Sequence, residues 1–98
     1  MEVSASERTQ GLFMDRQHDR SQRTRVDFLE NEINLSHTFL DIAEIDAHDD
    51  PSAAARARSK AQEGCDVAVA WIGTVRDADE LNRLLSKLST LTARLGQL

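Results

Sequence analysis

The sequence predicts an all-α fold, an antiparallel three-helix bundle running up-down-up behind a flexible N-terminal tail. Three observations predict it. Apolar residues recur with the 3.6-residue helical period through most of residues 21–98. One proline and four glycines are too few for the turns of a β-sandwich or barrel of this size. The clearest breaks, around His48-Asp49-Asp50-Pro51 and Gly73-Thr74, cut the periodic region into three stretches of helical length. The expected organisation is a tail over residues 1–20 and one domain over 21–98, with helices at about 22–48, 51–75 and 78–96.

The first twenty residues hold an isolated apolar triplet, Leu12-Phe13-Met14, and no sustained period, so they are read as a flexible tail. The first helix is expected to start near Ser21 or Thr24, where Thr24 and Asp27 have the spacing of a capping box. Its apolar positions Val26, Phe28, Leu29, Ile33, Leu35, Phe39, Leu40, Ile42, Ala43 and Ala47 fall on one arc about 200° wide. A surface helix needs little more than about 100°, so neighbours must cover this one on more than one side.

Asp50 and Pro51 form the sharpest boundary: an aspartate that caps free N–H groups, then a proline at the first helical position. In the second helix Ala54, Ala57, Ala61, Ala68, Ile72 and Val75 recur on one side, together with Gly64, Cys65 and Trp71. Arg56, Ser59, Lys60, Glu63 and Asp66 form the polar face. Ala57, Ala61, Gly64 and Ala68 follow a 4-3-4 spacing. A face with so little bulk lets another helix approach closely, and Phe28, Leu35, Phe39 and Ile42 of the first helix are the expected complement.

The third helix is expected to be capped by Asp77, with Glu80 completing a capping box and Asp79 favourable at the positive helix end. Leu81, Leu84, Leu88, Leu91, Leu95 and Leu98 then form a heptad seam, widened by Leu85. Less than three heptads suits one stripe of an intrachain bundle better than a zipper to another chain.

Composition narrows the function classes. The formal net charge is −5, and residues 26–50 carry eight acids and no lysine or arginine. The basic run Arg16, Arg20, Arg23, Arg25 is interleaved with Asp15 and Asp19 and has no stacking aromatics, so no nucleic acid is expected as a partner. The longest mainly apolar run, Val67 to Val75, is too short to span a bilayer, and no apolar signal segment is visible in the first twenty residues. Cys65 is the only cysteine and reads as a small buried hydrophobe, which fits a reducing, cytoplasmic setting.

Active-site signatures are absent. Each glycine is isolated, so no phosphate loop can form, and no CxxC, HExxH or calcium-loop pattern occurs. Glu30, His37, Asp41, Glu44 and His48 recur at helical spacing within about 60° of one another. His37, Asp41, Glu44 and His48 are thereby the one candidate metal set, although the stripe lies opposite the apolar arc and is expected to face solvent. Glu32 sits within the arc, with Ser36 one turn on. A buried carboxylate needs a cation or hydrogen-bond donors, for which Arg58 or Arg76 are candidates, and otherwise it could serve a ligand carrier or small enzyme.

The functional expectation is a non-enzymatic helical interaction or assembly module with no cofactor, partnered by a second copy or by another helical protein. Its interaction edge is Phe28, Leu35, Phe39 and Ile42, with Phe39 near the centre of a dimer. The alternatives are metal binding by the His/Asp/Glu stripe and a ligand site around Glu32.

Overall fold

The computed structural model describes the backbone of residues 2–97 and the side chains of residues 21–97. It contains α1 (Glu2–Asp46), α2 (Pro51–Trp71) and α3 (Ala78–Gly96), with a 3-10 turn at Ile72–Thr74 and no strand among the described residues. The all-α three-helix architecture is therefore the one the periodicity predicts.

Helix starts follow local chemistry. Asp50 Oδ1 accepts from Ala53 N–H at 3.0 Å, with Pro51 at the first position of α2. Asp77 Oδ1 accepts from Glu80 N–H at 3.0 Å, and Asp79 and Glu80 lie in the first turn of α3. Each cap satisfies a backbone donor that the helix itself cannot. α1 departs from expectation, because it passes through Ser21 and Thr24 without a cap and begins at Glu2. No proline interrupts that stretch, so nothing in the backbone forces a boundary there. It also ends at Asp46, two residues early. α2 stops at Trp71 rather than residue 75, tightening into the 3-10 turn in which Val75 N–H bonds Ile72 C=O at 3.2 Å.

The order of contacts fixes the topology. Down α1, Gln22 meets Thr74 and Arg76, Glu30 meets Lys87, and His37 meets Arg94, so α3 runs parallel to α1. α2 runs antiparallel, bringing Trp71 beside Phe28 and Gly64 against Glu32 and Ser36. Gln22 ties down the α2–α3 connection from both sides of its amide, donating to Thr74 C=O and accepting from Arg76 N–H.

Leu29, Ile33 and Leu40 of α1, Ala61, Cys65 and Ala68 of α2, Ile72 and Val75 beyond it, and Leu84, Leu88 and Leu91 of α3 make the main core. Ala43, Ala54 and Ala57 form a smaller cluster, and Phe39 packs against both. The leucine seam of α3 is thus spent inside the chain from Leu81 to Leu95, while Leu85 stays exposed and Leu98 lies outside the described residues. The small face of α2 meets Leu29, Ile33, Ser36 and Leu40, whereas its expected complement Phe28, Leu35 and Ile42 stays exposed. The reason is steric: alanine and glycine let the α1 backbone come so close that the residues at the centre of the arc fill the contact, and the outer edge is left over.

Candidate functional site

α3 covers one flank of α1, and the opposite flank, beside α2, remains open. Phe28, Leu35 and Ile42 line it at 45%, 50% and 39% exposure, two turns apart along α1. Ile45 extends the apolar surface towards the end of the helix. Across the groove α2 contributes Trp71, half exposed, and Val67. Periodicity places Trp71 on the buried side of α2. It falls at the edge of that face, one residue before the α-helix gives way to the 3-10 turn, and so stands beside Phe28 instead. Val67 and Trp71 are the groove residues that periodicity missed, since it assigns them to helices without saying which flank is left uncovered.

Phe39, expected at the centre of the edge, turns partly inward against both core clusters. Lys60 Nζ stands 5.8 Å from its ring centroid, a contact of the cation–π kind. The centre of the exposed edge is Leu35.

The middle of the groove is lined by Glu32, Leu35, Ser36, Phe39, Lys60, Glu63, Gly64 and Val67 and is open to solvent. Glu32 is half-buried on its wall rather than enclosed within the bundle. Beneath it Ser36 is buried, and its Oγ has no hydrogen-bond partner among the described residues. A Cβ at Gly64 would collide with that Oγ and would lie 3.3 Å from the Glu32 carbonyl oxygen.

Of the histidine–carboxylate stripe, Asp41, Glu44 and His48 are exposed as expected, whereas Glu30 and His37 are partly covered. The stripe borders α3, which supplies cations to it. Glu30 Oε1 takes Lys87 Nζ at 2.8 Å and Arg83 at 3.0 Å, and these two cations hold its carboxyl down at about 2. Arg94 donates from Nη2 to Asp41 at 2.8 Å and to Glu44 at 3.1 Å, while its Nη1 lies 3.0 Å from His37 Nδ1. Burial, aided by the Arg94 charge, pushes the His37 imidazole below its ordinary value. Neutral His37 can therefore accept from the guanidinium. Asp41 and Glu44 in turn raise the Arg94 pKa. A guanidinium thus occupies the centre of three of the four candidate metal ligands, and the fourth, His48, is exposed in the turn after α1. Among the described residues no three His, Cys, Asp or Glu side chains are grouped to hold a metal ion.

Cys65 is buried, and burial pushes its thiol up, away from nucleophilic use. Among the described residues no helix is long and apolar enough to cross a membrane. No protein-family model, curated protein or solved structure matches the chain.

Proposed function

We propose that this chain is a non-enzymatic interaction module whose working surface is the groove between α1 and α2 and its exposed apolar edge. The observation that carries the reading is the line of Phe28, Leu35 and Ile42, three large apolar side chains each more than a third exposed on one flank. Scattered exposed hydrophobes are ordinary, but a contiguous apolar strip faced by a tryptophan marks a surface that a partner covers. A groove between two antiparallel helices accepts the apolar face of a further helix, with anchors at helical spacing. The opposite flank of α1 is engaged with α3 through charged side chains, so the exposed apolar edge lies on the groove side.

The test places a photo-activatable cross-linking residue at Leu35 in living cells, with Asp66 on the exposed face of α2 as control. A discrete adduct from position 35 and none from position 66 is expected. Absence of an adduct from position 35, or the same adducts from both, overturns the reading.

A further inference from the structure

We propose that the occupant of the groove is a second copy of this chain, docked with its α1 antiparallel to the first and a two-fold axis passing at Leu35. The proposal rests on the reading of the groove as an interaction surface and adds partner, direction and register.

The register comes from the spacing of the exposed edge. Phe28 and Ile42 lie seven residues to either side of Leu35. An antiparallel pairing centred there sets Leu35 against the partner's Leu35 and each Phe28 against the partner's Ile42. All three exposed anchors are thereby covered at once, each by another of the same set. A two-fold contact requires this kind of self-complementarity, because one patch must serve both sides. In a parallel pairing Phe28 would meet Phe28 and Ile42 would meet Ile42, and the charges would oppose it.

Charge selects the antiparallel direction. Arg25 and Asp46 are both partly buried and flank the edge on its α2 side, near opposite ends. They are 21 residues apart, about 31 Å along a helix at 1.5 Å per residue, so they cannot meet within one chain. Under the proposed register Arg25 falls within one residue of the level of the partner's Asp46, twice in the dimer. Parallel pairing would instead oppose Arg25 to Arg25 and Asp46 to Asp46.

α2 completes the argument. It runs antiparallel to its own α1, with Trp71 at the level of Phe28 and Gly64 at the level of Glu32 and Ser36. It therefore runs parallel to the docked α1 of the partner. Stepping along the two helices brings Trp71 level with the partner's Ile42. The exposed indole so covers an exposed isoleucine. One register satisfies the apolar edge, the Arg25–Asp46 pairing and the tryptophan.

Two experiments test it on the full chain. In a Cys65→Ala background, Leu35→Cys should couple to itself under mild oxidation. Phe28→Cys and Ile42→Cys should each remain uncoupled alone, being about 21 Å from their own symmetry mates at 1.5 Å per residue, and should couple when mixed. Self-coupling of Phe28→Cys would establish a parallel pair and overturn the proposal. Separately, Arg25→Asp should weaken dimerisation about tenfold, which is about 1.4 kcal/mol shared by two equivalent pairs. Asp46→Arg should do the same, and the double variant should recover most of the loss. A double variant weaker than either single one overturns the pairing. A parent that is monomeric near 1 mM by sedimentation also sinks it. If Leu35 then still cross-links to a different protein in cells, the groove remains an interaction surface and only the two-fold fails.

Discussion

At position 64 a single hydrogen atom sets how closely α1 and α2 approach. Any side chain there would drive into Ser36 Oγ, which is itself buried without a hydrogen-bond partner. Gly64→Ala gains about 1 kcal/mol of helix propensity. Overpacking typically costs about 1–3 kcal/mol, so the net expectation is a loss of about 1 kcal/mol in a urea titration. Ser36→Ala removes both the obstacle and an unsatisfied hydroxyl, and it should be neutral or stabilising by up to about 1 kcal/mol. The two sites must therefore couple: in the Ser36→Ala background Gly64→Ala should cost little or stabilise. Equal costs in the two backgrounds would show that Ser36 is not what Gly64 makes room for.

At the scale of the elements, α3 is held to α1 by charge as well as by leucine. Arg94 is only about a quarter exposed and serves Asp41, Glu44 and the His37 ring. Its two carboxylate partners are well exposed, so Arg94→Ala should cost only about 1 kcal/mol in thermal or denaturant unfolding. The pH dependence has a definite sign. The folded state holds His37 below its ordinary 6.5, so the unfolded chain binds the proton more readily. The His37 contribution to stability is present above pH 6.5 and is lost as pH falls through the folded value. The melting temperature should fall between pH 7 and pH 5, and less steeply in His37→Gln; identical slopes would remove His37 from the account. Glu30, held at about 2 against an ordinary 4.5, keeps its contribution above pH 4.5 and loses it as pH falls through about 2. Those contacts were not legible in the sequence. Periodicity places Glu30, His37, Asp41 and Glu44 on one face of α1, but which neighbour covers that face depends on the rotation of each helix about its axis. The partners lie 50 to 57 residues away in the chain, beyond any local signal. What depends on local chemistry was legible: the Asp50–Pro51 and Asp77–Glu80 starts, the α3 range, the small face of α2 and the leucine seam. The apolar edge was legible as residues, although its centre was not. Phe39 and Leu35 lie close together in angle on α1, and only the packed neighbour shows that Phe39 turns inward and Leu35 stays out.

For the whole molecule, the interior is modest. Among the described residues its fully buried large apolar side chains are Leu29, Ile33, Leu40, Leu84 and Leu91, all from α1 and α3, while α2 contributes mostly alanine. A chain this short buries only roughly 60–65% of its unfolded surface, so its stability margin is thin and association weighs heavily. If the groove is covered by a second copy, folding and dimerisation share one free energy, and the midpoint must depend on protein concentration. A hundredfold rise in concentration adds about 2.7 kcal/mol per dimer, or about 1.4 per chain. For a domain of this size that raises the midpoint by roughly 5–10 °C. Leu35→Glu should abolish the dependence yet leave the helical signal in circular dichroism, because Leu35 is half exposed and outside both core clusters. Ile33→Glu, two residues away, should unfold the chain, because Ile33 is fully buried and an unpaired carboxylate there has no compensation. Trp71, the one tryptophan, reports the same event from the groove itself. Its emission should shift to the blue as the parent is concentrated and stay red in Leu35→Glu. A midpoint and an emission maximum that ignore concentration in the parent would mean that the edge of α1 is open in solution, and that the fold stands on its intrachain core alone.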